Sequence, residues 1–188
     1  MPGAAMNARQ ASGPSIGFFG KLPSRGDFLH AGLSSDFIQA WDRWLQRVLT
    51  DGPRMLGETW PEVWRVAPVW RFALPGGQCG RQPVLGLWMP SVDRVGRPFP
   101  LTFAAEGADH GDAFLEAAEQ IGRNAIASDL APEAIMSRLR DASPPEPMPR
   151  TAAGQARWWS AGGPFVAPTE FLLDNLPDSV GFNRMLGR

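Results

Sequence analysis

Cysteine and lysine each occur once in this chain, histidine twice and tyrosine not at all. The single Cys79 excludes an intrachain disulfide and any zinc site built from several cysteines, and it suits a reducing compartment. It reads as a turn residue with no task. His30 and His110 leave little material for an imidazole base or a histidine metal cluster. The first reads as a loop residue bonded to backbone, the second as a solvated residue near a helix start. No run of about 18 apolar residues is present, which argues against a membrane span. Residues 1–15 lack the apolar core of a signal peptide and read as a flexible tail. Basic and acidic residues number 18 and 19, are interspersed and leave a formal charge of −1, so no basic face for nucleic acid is visible. These exclusions leave a cytoplasmic protein with no cofactor, no bound metal and no nucleic acid as partner.

What is present is a chain of 188 residues rich in tryptophan and phenylalanine, with eight and eleven respectively. That length suits one domain, residues 16–188, burying roughly 70% of its unfolded surface. Residues 16–21 form a short apolar run bounded by Gly and Pro, as a strand requires. After Ser34 and Ser35, either able to cap, the residues Phe37, Ile38, Trp41, Trp44, Leu45, Val48 and Leu49 recur at helical spacing. Asp51-Gly52-Pro53 is expected to end that helix, and a second helical stretch over 54–66 is expected to break at Trp60-Pro61. Apolar runs at 69–74, 84–89 and 99–104, separated by Gly, Pro and polar residues, predict a three-strand antiparallel meander. Helical periodicity returns over 112–127 and 132–140. A proline-rich linker spans 142–150, and a strand at 157–160 and a last helix near 178–186 follow it. If the adjacent Trp158 and Trp159 lie on that strand, their side chains point to opposite faces. The fold class is α+β: one domain with a mainly antiparallel sheet flanked by helices.

Two segments stand out, each a strand-like run into a Pro-Ser turn that carries Arg, Gly and Asp. The first is Gly17-Phe18-Phe19-Gly20-Lys21-Leu22-Pro23-Ser24-Arg25-Gly26-Asp27-Phe28, the second Leu87-Trp88-Met89-Pro90-Ser91-Val92-Asp93-Arg94-Val95-Gly96-Arg97-Pro98-Phe99-Pro100-Leu101. Charged side chains on backbone constrained by Gly and Pro are typical of sites held by a rigid scaffold. Lys21 stands alone beside seventeen arginines, and a compact ammonium differs from a forked guanidinium in geometry and hydration. It is not a phosphate-loop lysine, because Ser15 and Leu22 occupy the two diagnostic positions. No nucleophile elbow, zinc helix or dinucleotide fingerprint occurs. Asp27 and Asp93, one per segment, make an acid/base pair only if no cation intervenes. With Arg25, Arg94 and Arg97 beside them, an ion-paired recognition or structural cluster is favoured. Ser24 and Ser91 read as turn residues that cap backbone, since neither has an identifiable base.

These segments, with Thr102 after the second, taken with Trp41-Asp42-Arg43-Trp44-Leu45, Ala67-Pro68-Val69-Trp70-Arg71-Phe72 and Trp158-Trp159, resemble the TagF family, also called ImpM, of bacterial proteins associated with type VI secretion. The likeness covers about residues 16 to 186. It implies a non-enzymatic, cytoplasmic accessory protein that represses type VI secretion post-translationally and binds a forkhead-associated scaffold protein, Fha. Other members are fused to a phosphatase domain of the PppA type, for which this chain has no room. The family supplies no catalytic residue. The positions that carry over are Lys21, Ser24, Arg25 and Asp27 in the first segment and Ser91, Asp93, Arg94 and Arg97 in the second.

Three readings follow from the residues. The first, implied by the resemblance together with the missing catalytic sets, is a regulator that acts through protein-protein binding. The second is a small-ligand or nucleotide binder, or a cryptic hydrolase, built on the Lys21, Arg and Asp cluster. The third is a purely structural lock in which Arg-Asp pairs fasten the top of the sheet.

Overall fold

The computed structural model describes residues 13–142, 144–145 and 154–188. The chain runs β1 (Ser15–Gly20), β2 (Leu29–Ala31), α1 (Ser35–Leu56), a short 3-10 turn (Gly57–Thr59), α2 (Trp60–Arg65), β3 (Trp70–Leu74), β4 (Val84–Met89), β5 (Leu101–Glu106), α3 (Asp112–Ser128), α4 (Pro132–Asp141), β6 (Ala156–Ser160), β7 (Thr169–Leu173) and α5 (Ser179–Met185). Seven strands make one sheet in the order β2-β1-β5-β4-β3-β6-β7, and every pairing is antiparallel. The predicted meander is β3-β4-β5. Its third strand begins at Leu101 and not at Phe99, because Pro98 and Pro100 have no N–H to give a ladder.

Both faces of the sheet are covered. On one, Trp41, Trp44 and Val48 of α1 pack with Trp64 of α2 and Phe182 of α5 over Phe72, Trp88 and Trp158. On the other, Phe114, Leu115 and Ile121 of α3 and Ile135 and Leu139 of α4 cover Phe18, Leu85, Leu87 and Phe103. The central strands β4 and β5 are therefore buried at every position, and β4 reads as a continuous apolar run, unlike a half-exposed strand. Trp158 and Trp159 diverge as strand geometry requires. The first is fully buried among the tryptophans, and the second is half-buried against the opposite layer.

Sequence and structure part at several places. Helix α1 does not stop at Asp51-Gly52-Pro53 but continues to Leu56 and ends at Gly57, whose N–H donates to the Pro53 carbonyl. A proline disfavours helix in the residue before it largely through that residue's Cβ, and Gly52 has none. The bare Gly52 also faces the Trp60 indole, where a Cβ would lie 2.3 Å from the ring. Residues 54–56 thus belong to α1, and Pro61 sits in the first turn of α2, where its missing N–H costs nothing, instead of breaking a helix. Strand β2 lies inside the stretch expected to be loop, and β7 was not anticipated at all. Ser15, assigned to the tail, already begins β1. Residues 1–12 of the expected tail, and residues 143 and 146–150 of the expected linker, lie outside the described residues.

Candidate functional site

The two Pro-Ser elbows converge at one end of the sheet. Strand β1 leads into the first, and β4 and β5 enclose the second. Gly20 sets the approach: at φ +152 a Cβ there would lie 2.2 Å from the Pro100 carbonyl oxygen, so only glycine lets the end of β1 press against the exit of the second elbow. The elbows are then tied by backbone. Arg94 N–H donates to the Arg25 carbonyl at 3.1 Å, and the Ser91 hydroxyl donates to the Lys21 carbonyl at 2.8 Å. The Ser91 carbonyl in turn accepts Trp64 Nε1 at 2.8 Å and Phe99 N–H at 3.0 Å. Ser91 is thus a buried backbone clasp, consistent with a turn residue and not with a nucleophile.

Asp93 is the centre of the second elbow. Its Oδ1 accepts the backbone N–H groups of Val95 and Arg97, each at 3.0 Å. Its Oδ2 accepts Arg97 Nε at 2.6 Å and the Lys21 ammonium at 3.3 Å. The carboxylate is fully buried, and burial alone would raise its pKa. The two Arg97 bonds, the Val95 N–H and the Lys21 ammonium outweigh burial and hold it well below the usual carboxylate range. Asp93 is therefore a fixed anion and not a proton shuttle. The turn around it closes through Gly96, at φ +83, whose N–H donates to the Asp93 carbonyl at 2.9 Å.

Lys21 brings its compact ammonium to the carboxylate from the first elbow. Its ammonium lies 4.5 Å from the Phe28 ring centroid and 5.8 Å from that of Phe99, with Asp93 on its remaining side. Phe28 and Phe99 meet edge to face at 4.8 Å, and both pack on Phe19. The lone lysine closes a compact knot of one ammonium, one carboxylate and three rings.

Not all the residues singled out in the sequence join this knot. Lys21, Ser91, Asp93 and Arg97 do. Ser24 and Arg25 turn instead to Asp129, between α3 and α4: the Ser24 hydroxyl donates to Asp129 Oδ1, and Arg25 Nε lies 3.7 Å from that oxygen. Ser24 thus binds a side chain where a backbone cap was anticipated. Asp27 is exposed, and among the described residues its side chain has no hydrogen-bond or ion-pair partner. The pairing of Asp27 with Asp93 that proton transfer would need is absent. Arg94 is exposed and likewise without a carboxylate partner among the described residues.

Sequence reasoning gave no site role to Asp129 or Trp64, and it included Phe28 and Phe99 in the two segments without assigning either a role. Asp129 left a signal: it falls between two helical stretches, a place for a left-handed residue, and it adopts φ 47.

The surface that results is a loop tip on a buried base. Arg94, Val95, Gly96 and Arg97 are exposed, and Val95 at 70% is the most exposed of the large apolar side chains among the described residues. A bridge between Val92 and Pro98 closes the neck of this tip. Among the described residues no cluster of three His, Cys, Asp or Glu side chains suits a metal ion, and no helix is long and apolar enough to cross a membrane. His30 lies exposed on β2, and His110 pairs with Asp109 just before α3.

Residues 17–142 match the family model for the TagF N-terminal domain, described as type VI secretion system-associated. The crystal structure of PA0076 from Pseudomonas aeruginosa PAO1, at 2.05 Å resolution, superposes with a TM-score of 0.80 and 29% sequence identity. The match covers 92% of this chain and 94% of that one. No curated protein matches the chain significantly.

Proposed function

The chain belongs to the TagF family of type VI secretion system-associated proteins, and from that membership we propose that it is a non-enzymatic accessory regulator. It represses type VI secretion post-translationally, in the cytoplasm, by binding a forkhead-associated, Fha-like scaffold protein. The observation that carries this reading is the exposed Arg94-Val95-Gly96-Arg97 tip on the sealed Asp93 knot. A cationic loop with an exposed apolar residue, held rigid from below, loses little conformational freedom on binding and is suited to docking a macromolecule. Arg25 and the unpaired Asp27 extend the same end of the sheet.

The competing reading, a small-ligand or nucleotide site or a hydrolase, needs Lys21 as its cation. That ammonium is committed to Asp93 and Phe28, and its side chain is only 11% exposed. A thermal-shift screen with nucleotides and phosphorylated ligands separates the two, because a ligand that binds the folded state raises its melting temperature. The regulator reading expects no shift at millimolar ligand, together with scaffold capture in a pull-down that weakens on Arg94→Glu, Arg25→Glu or Asp27→Lys substitution. Undiminished capture by all three variants would remove this end of the sheet as the binding site.

A further inference from the structure

A groove runs from the second elbow along the side of the domain. Its first compartment, about 490 Å³, lies between the indoles of Trp60 and Trp64 and the rings of Pro23 and Pro98. Arg65, Pro90 and Ile126 line both this compartment and a second of about 440 Å³, which extends to Arg123 and to the Gly162-Gly163-Pro164 turn. Their walls are preformed: Trp64 is pinned by its bond to the Ser91 carbonyl and stacks on Trp60 with ring centroids 5.6 Å apart. Prolines have no N–H to offer, so this wall recognises apolar surface and not a backbone ladder.

The charge in the groove has one sign. Among the described residues no carboxylate lines either compartment. Arg65 is exposed and has no ion-pair partner among the described residues. Arg123 shares Glu119 with Arg71, at 2.7 and 3.2 Å, which leaves that trio with one net positive charge. Gly96 on the rim belongs to the tip that also carries Arg94 and Arg97. An apolar trough edged by cations complements a chain that is apolar and acidic. Two small neighbouring compartments that share lining residues suit an extended segment better than a helix, whose diameter with side chains is about 10–12 Å.

We infer that this groove seats an extended segment of a partner protein, with an apolar side chain against Trp60 and Trp64 and acidic side chains opposite Arg65 and Arg123. The inference rests on the interaction reading and specifies the chemistry of what is bound. The experiment is selection of a random peptide library, displayed on phage, against the full chain, followed by binding of the recovered peptides as labelled synthetic probes. The recovered peptides are expected to combine Asp or Glu with a large apolar residue. Arg65→Glu is expected to weaken them by about tenfold or more at unchanged melting temperature, because Arg65 is exposed. Ile126→Glu, which places an anion in the shared floor, is expected to weaken them likewise, with a lowered melting temperature because Ile126 is half-buried against the core, so Arg65→Glu carries the test at unchanged stability. A selection that returns no binder, binders without acidic residues, or binders indifferent to both substitutions would overturn the inference. Scaffold capture lost on Val95→Asp but kept on Arg65→Glu would overturn the groove and leave the tip standing, and the opposite pattern would overturn the tip and leave the groove.

Discussion

The N–H of Arg94 donates to the carbonyl of Arg25 at 3.1 Å, so two elbows far apart in sequence hold each other by main chain at their tips. Side chains at this end of the sheet can therefore vary in charge without releasing the loops. The exceptions are the groups inside the knot.

Asp93 is the first of these. Asp93→Asn removes the anion that Lys21 and Arg97 face, and it is expected to lower the melting temperature at pH 7 by several degrees. The sign of the pH dependence follows from the direction of the pKa. The folded value lies below the ordinary 3.8, so the contribution is complete above about pH 4 and is lost as pH falls from there toward the folded value. The gap in melting temperature between wild type and variant should thus be equal at pH 7 and pH 5 and narrow by pH 3. A gap independent of pH down to 3 would mean that the carboxylate contributes shape and not charge.

Cys79 lies in the tryptophan-rich core, and burial, partly offset by Arg43 and reinforced by Glu106, pushes its thiol from 9.0 up to about 12. A folded pKa above the unfolded one means that stability is whole below pH 9 and falls as pH rises from 9 toward 12, because only the unfolded chain releases the proton. Chemical denaturation at pH 8, 9 and 10 should show wild type losing stability faster than Cys79→Ala over the last interval. A thiol reagent at pH 8 should label Cys79 only in denaturant. Rapid labelling of the native protein would contradict the burial.

Two glycines separate packing from turn geometry. A Cβ on Gly86 in β4 would lie 2.5 Å from both the Phe103 carbonyl oxygen and the Phe72 ring, and neither backbone nor a packed core ring can yield cheaply. Gly86→Ala should cost about 1–3 kcal/mol. A Cβ on Gly26 in the first elbow meets nothing within 4 Å, and Gly26→Ala should be neutral or stabilising by up to ~1 kcal/mol through the unfolded chain. Equal effects in urea denaturation would contradict this account of the sheet's packing.

The parts of the fold that were legible in sequence are those where one local signal sufficed. The α1 stripe from Phe37 to Val48, the Ser34 cap and the β3-β4-β5 meander each carry their period or their punctuation within a few residues. The α1 terminus was misread because Asp51-Gly52-Pro53 is a stop signal that a tertiary contact, Gly52 against Trp60, overrides. The three residues of β2 are too few to show alternation, and they are strand only because β1 supplies the ladder. At the candidate site the sequence marked Lys21, Asp93 and Arg97 through their company of Gly and Pro. It did not place Asp129, which reaches Ser24 across 105 positions, and nothing local in the chain records such a distance. It also did not separate the buried charge, Asp93, from the exposed ones, Asp27 and Arg94, because burial of one carboxylate depends on which loop lies beneath the other.

The central claim is that the exposed tip beside the Asp93 knot is where a scaffold docks. Its most direct measurement is titration of the Fha-like scaffold against wild type and the Arg94→Glu/Val95→Asp double variant, with melting temperatures recorded alongside. Both positions are exposed, so the variant should melt with wild type. The account predicts that it binds about tenfold or more weakly, as loss of a central anchor does. Equal affinity in a fully folded variant would contradict it.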